Sequence, residues 1–210
     1  MTEFRAWPKT PRLFRDMVIT EKIDGTNAAV VVEASTRYAG TSYEGYLADP
    51  AVVQVGDDWF KVSAQSRKRL IVPGNDNYGF AAWVRDHQAG LAAVLGEGYH
   101  YGEWWGSGIQ RGYGLTKGER RFSLFNVNRY VPDDLAASGV PGLDVVPLLA
   151  RYTFDTWLVV DAMQRLAEHG SWAAPGFDRP EGIVVFHSAS GATFKALLEN
   201  DDQPKGQVAA

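Results

Sequence analysis

Met17-Val18-Ile19-Thr20 and Ala28-Ala29-Val30-Val31-Val32 are apolar runs of strand length on either side of Glu21-Lys22-Ile23-Asp24-Gly25-Thr26-Asn27, a polar segment with one glycine. Short, β-branched runs bounded by a turn predict two strands, with Lys22 at a strand edge or in a loop. The chain through Val53 continues as strands and turns, and Trp59 to Ala64 alternates as a further strand. The period then changes. Phe80, Val84, His87, Leu91, Val94 and Leu95 recur at helical spacing behind Asn75-Asp76-Asn77 and ahead of Gly96, which predicts one capped amphipathic helix. His87 lies on its apolar stripe and reads as a packed histidine rather than a metal ligand.

Tyr99 to Trp105 and Phe122 to Tyr130 read as strands around a glycine-rich loop, Gly106 to Gly118. Pro132, Pro141 and Pro147 punctuate the next segment. Thr153 is the expected cap of a second helix carrying Phe154, Trp157, Leu158, Met163 and Leu166 to a stop at Gly170. Glu181 to His187 and Ala192 to Leu197 form a final β pair across Ser188-Ala189-Ser190-Gly191. Strands and helices mixed without βαβ alternation predict an α+β fold of antiparallel sheets flanked by helices. One domain over 1–199 and a polar tail over 200–210 are expected.

Composition narrows the function. At 210 residues, 45% hydrophobic and 12% aromatic, the chain can fill one domain core. It has no cysteine, which excludes disulfides, thiolate zinc sites and thiol catalysis and suits a reducing, cytoplasmic compartment. No run approaches the roughly 18 apolar residues of a membrane span, and the first residues lack the apolar core of a signal peptide. A soluble protein with no membrane partner is expected. The net charge of -4 argues against a general nucleic-acid coat and leaves Arg67-Lys68-Arg69 and Lys117, Arg120 and Arg121 as local basic clusters.

The common phosphate and hydrolase motifs are missing. Gly106-Ser107-Gly108-Ile109-Gln110-Arg111-Gly112 is one residue too long for a dinucleotide fingerprint, and there is no P-loop, His-Glu-x-x-His or Gly-x-Ser-x-Gly. What remains is a dispersed set at predicted strand ends: Lys22 with Asp24, Arg67, Glu103, Phe125-Asn126, Glu181 and Lys195.

In this order the set resembles the covalent nucleotidyltransferase superfamily of ATP-dependent DNA ligases, RNA ligases and mRNA capping enzymes. Lys22-Ile23-Asp24-Gly25-Thr26-Asn27 looks like its Lys-x-Asp-Gly motif with the Thr-Asn extension of RNA ligases. Gln65-Ser66-Arg67 resembles the arginine element, and Tyr101-Gly102-Glu103-Trp104-Trp105-Gly106-Ser107-Gly108-Ile109-Gln110 the third motif of nick-sealing RNA ligases. Leu124-Phe125-Asn126-Val127, Glu181-Gly182-Ile183-Val184-Val185 and Phe194-Lys195 look like the remaining motifs. Two departures stand out. Asn126 replaces the usual acid, and Lys195 is a single lysine where many ligases carry Lys-x-Lys.

The resemblance implies a ligase-type nucleotidyltransferase (adenylation) domain, ATP-grasp-like, with no oligonucleotide-binding domain after it. It implies an ATP-dependent RNA ligase in RNA repair, with a minimal DNA ligase, a degenerate nucleotide- or RNA-binding domain and a purely structural domain as alternatives. Lys22 would attack the ATP α-phosphorus and form a lysyl-adenylate. Lys195 would assist. Glu21, Ile23, Asp24, Asn27, Arg67, Glu103, Phe125, Glu181 and Lys195 would bind the nucleotide, with Phe125 on adenine, Glu103 on ribose, and Arg67 and Lys195 on phosphates. Mg2+ or Mn2+ would sit with Glu181 and Asp24. An attacking amine must be neutral, so Glu103 and Glu181 are expected to serve ribose and metal rather than pair with Lys22. Arg67, Lys68, Arg69, Arg111, Lys117, Arg120 and Arg121 would line one face for RNA, as a nicked duplex, 5'-phosphate ends or an RNA/DNA hybrid. A separate protein would supply substrate specificity.

Overall fold

From its start the chain runs β1 (Asp16–Lys22), β2 (Thr26–Ala34), β3 (Val52–Val55), β4 (Asp58–Ser66), β5 (Leu70–Ile71), α1 (Phe80–Asp86), α2 (Gln88–Leu95) and β6 (Gly98–Gly106). It continues through β7 (Arg120–Leu124), α3 (Pro132–Ala137), β8 (Leu143–Val145), β9 (Leu148–Thr153), α4 (Thr156–His169), β10 (Gly182–His187) and β11 (Ala192–Leu197). The structure is a computed structural model that describes residues 2–35, 51–199 and 201. Most of the expected polar tail, and positions 36–50 of the early strands and turns, lie outside the described residues.

The described chain forms two compact units, one from its start to Lys22 together with Pro147 onward, the other Ile23–Val146. In the first, four strands pair in the order β11-β10-β1-β9, all antiparallel. One face of this sheet packs on α4, and Met17, Ile19, Leu149, Ala162, Leu166, Ile183 and Val185 form the core. In the second, the order is β3-β4-β2-β6-β7-β8, with β5 also on β4. Its pairs are antiparallel except β7 with β8, which run parallel. Val30 and Val32 of β2, Phe122 and Leu124 of β7, and Phe80 and Leu91 of the helices are fully buried there. Burying each such side chain contributes about 2 kcal/mol. Phe80 meets Trp104 at 5.3 Å and Phe122 at 4.9 Å between ring centroids, which fixes α1 over the sheet.

Several elements differ from the sequence expectation, each for a local reason. The predicted long helix is two, because His87 leaves helical geometry (φ -122°) and its Nδ1 lies 2.8 Å from the Trp83 carbonyl, ending α1. Asp76 does serve its start, accepting hydrogen bonds from Ala81 and Ala82 N–H at 3.0 and 3.3 Å. The strand predicted to reach Tyr130 stops at Leu124, since the Asn126 side chain accepts the Asn128 N–H and turns the chain. Asp155, not Thr153, caps α4 by accepting the Trp157 N–H at 2.8 Å, and Thr153 ends β9. Trp157, assigned to the apolar stripe, is exposed. The proline-punctuated segment holds α3, with Pro132 in its first turn, and two short strands.

His100 lies fully buried in the second unit, its ring nitrogens 2.6 Å from the Tyr130 hydroxyl and 2.9 Å from the Gly96 carbonyl. Burial pushes the imidazole down to about 4, against the Gly96 carbonyl and helped by the Arg129 guanidinium. The folded state therefore resists its protonation. The stability this represents is present above the unfolded value of 6.5 and is lost as pH falls toward 4, about 3 kcal/mol at 1.36 kcal/mol per pH unit. Denaturant unfolding across that range should show the loss, and His100→Gln, which cannot titrate, should flatten the profile; an equally steep profile in the variant would place the loss elsewhere.

Candidate active site

β1 is an inner strand of its sheet, and its register against β10 sets Lys22 opposite Gly182. A side chain on Gly182 would collide with the Ala196 carbonyl of β11, so this position accepts only glycine. Glu181, the preceding residue, is thereby brought to Lys22: Lys22 Nζ donates to Glu181 Oε2 at 2.5 Å, and the two side chains are 19% and 9% exposed. The expectation that Glu181 would not pair with Lys22 is overturned, because cross-strand pairing makes it the nearest counter-ion.

Side chains alternate along a strand. Lys22 and Thr20 therefore share one face of the sheet, and Thr20, Val184 and Lys195 are aligned in successive strands, so Lys195 shares that face too. Lys195 is exposed on the edge strand, two strand spacings of about 4.8 Å from β1. Glu21 points the opposite way, into the interior at 1% exposure. Its carboxylate accepts hydrogen bonds from Ser171 Oγ at 2.6 Å, Trp172 N–H at 2.8 Å and Ala173 N–H at 3.0 Å. Burial raises its pKa, and these three bonds oppose the rise. The Glu21 side chain therefore anchors the strand end.

In the second unit the turn after Ile23 is held from several sides. Asp24 N–H donates to Tyr113 Oη at 2.9 Å, Gly25 N–H to Glu103 Oε1 at 3.1 Å, and Asn27 Nδ2 to Glu103 Oε2 at 3.0 Å. Thr26 Oγ1 accepts from Asn77 Nδ2 at 3.0 Å, and the Asp24 carboxylate meets Arg111 Nε at 3.3 Å. Gly25 lies so close to β6 that an added Cβ would stand 2.5 Å from the Trp104 carbonyl oxygen. Ile23 is buried and contributes packing. Glu103, also buried, holds the turn with both oxygens while lying on the sheet face that carries Asn27, Tyr101 and Ser123. Phe125, 41% exposed, follows β7 directly and its N–H donates to the Tyr101 carbonyl, so an aromatic ring is offered beside that face.

Several of the basic residues expected on the RNA face have structural partners. Arg67 and Lys68 are exposed in the turn between β4 and β5, where Arg69 is tied to Asn75. Arg111 is bound to Asp24 instead. Arg120 donates to the Ser107 and Tyr78 carbonyls at 3.1 and 2.8 Å, a structural clamp, while Arg121 turns to the other face, over Trp105 and paired with Glu119 at 2.7 Å. Lys117 is exposed in the glycine-rich loop. Tyr113 and Ser171 were missed by sequence reasoning, since both act from irregular loops that carry no periodic signal.

Among the described residues no three His, Asp or Glu side chains converge on a metal site. Mg2+ and Mn2+ need few protein ligands when phosphates supply the rest. Glu181 and Asp24, the two carboxylates expected to hold such a cation, are each paired with a cationic side chain, Lys22 and Arg111.

The fold is similar to that of solved RNA ligases. A Naegleria gruberi RNA ligase mutant with ATP and Mn superposes with a TM-score of 0.51 at 16% identity, covering 88% of this chain and 49% of that one. A second mutant with ATP and Mn gives 0.51 and a third with AMP and Mn gives 0.50, each at 16% identity, covering 88% of this chain and 50% of theirs. The fold is thus that of the ligase-type nucleotidyltransferases. The sequence profile described as RNA ligase matches residues 15–197, and the chain belongs to that family. No curated protein matches it at a significant level. The chain spans about half the length of these solved ligases.

The Glu21 anchor yields a pH-dependent test. Ser171→Ala removes a donor that favours the charged carboxylate, so it should cost about 1–3 kcal/mol at neutral pH and less below 4.5, where Glu21 is protonated with or without the hydroxyl. A penalty that is equal at both pH values in chemical denaturation would contradict the anchor.

Proposed function

We propose that this chain is the adenylation module of an ATP-dependent RNA ligase acting in RNA repair, through a covalent adenylate on Lys22. The observation that carries the reading is the placement of Lys22 at the end of an inner strand, against Glu181-Gly182 and two residues ahead of a turn whose polar groups are held by Glu103, Tyr113, Arg111 and Asn77. A nucleophile needs that kind of fixed backbone. Family membership supports the reaction class.

In the proposed reaction the neutral Lys22 amine attacks the ATP α-phosphorus. The N–P bond forms, the P–O bond to pyrophosphate breaks, and the amine loses its proton. The AMP then passes to a 5'-phosphate oxygen of RNA, restoring Lys22, and a 3'-hydroxyl displaces AMP to join the strands. Glu103 and Asn27 hold the ribose side, Phe125 stacks on the base, and Arg67 and Lys195 meet phosphates. A bound divalent cation would offset the charge that develops as pyrophosphate leaves. Glu181 is the carboxylate that would hold such a cation, and in doing so it would give up its hydrogen bond from Lys22. A separate protein would supply the contacts to the RNA duplex.

Non-catalytic nucleotide binding is the second reading. Asn126 is spent on a local turn and β11 offers one lysine, Lys195, in place of two. Radiolabelled ATP with Mg2+ or Mn2+ separates the two: the wild type should form an adduct that survives denaturation and is released by acid. Lys22→Ala should lose it by more than about 1000-fold, since no other group supplies the bond. Absence of a wild-type adduct, or label in Lys22→Ala, would contradict covalent catalysis. Nicks ending in RNA at the 3'-hydroxyl should be sealed, and sealing confined to DNA would defeat the RNA assignment.

A further inference from the structure

Gln110, Tyr113 and Lys117 adopt φ values of 44°, 50° and 54° within a single loop, and none of them is glycine. Side-chain-bearing residues seldom take that conformation, so a loop with three of them stores strain that its contacts must sustain. Two of the loop's residues reach Asp24. Tyr113 is 2% exposed, with its ring edge-on to Trp105 at 5.3 Å, and its hydroxyl oxygen accepts the Asp24 N–H at 2.9 Å. Arg111, two residues earlier, places Nε 3.3 Å from the Asp24 carboxylate. β6, which leads into the loop, holds the following residues through Glu103. One continuous segment of chain thus fixes Asp24 by backbone and by side chain, and its neighbours by a buried carboxylate.

We infer that the loop 107–119 positions the nucleophile's turn, with Tyr113 and Arg111 as positioning residues for adenylation. The inference rests on the covalent reading of Lys22. Asp24 is the second residue after Lys22, so its N–H and carboxylate set the direction in which the chain leaves the nucleophile. The Asp24 side chain is 26% exposed, and water could satisfy this turn as readily as a phenol. A buried tyrosine in a strained conformation adds direction where hydration would serve for stability alone. Removing the phenol oxygen should therefore slow attack more than it weakens the fold. A displacement of 1 Å near the reacting atoms is enough to lower a rate by about 100-fold.

Tyr113→Phe keeps the ring and its contact with Trp105 and deletes only the acceptor. Four measurements decide the matter: single-turnover adenylate formation, ATP affinity, thermal melting, and hydrogen exchange at the Asp24 amide. The rate should fall about 10- to 100-fold while ATP affinity stays within about threefold and the variant remains folded at the assay temperature. Exchange at Asp24 should be faster than in the wild type. Arg111→Lys, which keeps the charge, should retain more of the rate than Arg111→Ala. A Tyr113→Phe rate within about threefold of wild type, or a loss matched by the fall in ATP affinity or folded fraction, overturns the inference. If the wild type forms no adduct, the covalent reading fails by itself. The Asp24 amide then tells whether the loop holds the turn: unchanged exchange in Tyr113→Phe denies that hold too.

Discussion

The antiparallel register of β1 on β10 is the constraint from which the rest of the arrangement follows. It sets Lys22 against Gly182 and Glu21 against Ile183, and alternation then sends the two neighbouring side chains to opposite faces. Glu21 goes to the interior, where Ser171 and two backbone amides receive it. Lys22 goes to the face that Lys195 shares. A slip of one residue would bury the lysine and expose the glutamate. Gly182 guards against the slip, because only a residue without a side chain passes the Ala196 carbonyl.

Within each unit the charges are balanced in pairs. Lys22 is matched by Glu181 and Asp24 by Arg111, while Glu103 satisfies two donors of the turn. Partly buried pairs of this kind cost desolvation that their attraction offsets only when the geometry is good, and breaking one strands its partner. On the proposed reading the pair also bears on chemistry, since the Lys22 nitrogen would have to leave Glu181 to approach a phosphorus. Release of Lys22 therefore needs a stronger claimant for Glu181. On the proposed reading, a cation carried by the nucleotide would be that claimant.

Much of this was legible in the sequence, and the rest was hidden for identifiable reasons. The strands around Lys22, the β10–β11 pair and the α+β class follow from two-residue alternation and short β-branched runs, which are local signals. The ordered residues Lys22, Glu103, Phe125, Glu181 and Lys195 marked the family. What failed was anything that depends on a partner distant in sequence. Glu181 binds Lys22 from 159 positions away and Ser171 binds Glu21 from 150, and neither distance leaves a trace in periodicity. Arg120 and Arg121 looked like one basic patch, yet neighbours on a strand face opposite ways, and each found a different structural partner. Irregular segments were equally opaque: the loop that brings Tyr113 and Arg111 to Asp24 reads only as glycine-rich.

Peptide mapping by mass spectrometry after incubation with ATP and a divalent cation tests the central claim most directly, because it names the atom-bearing residue rather than the activity. The account predicts AMP on the peptide containing Lys22 and on no other. An adduct on Lys195 or any other lysine, or an unmodified protein after prolonged incubation with ATP and Mg2+ or Mn2+, would contradict it.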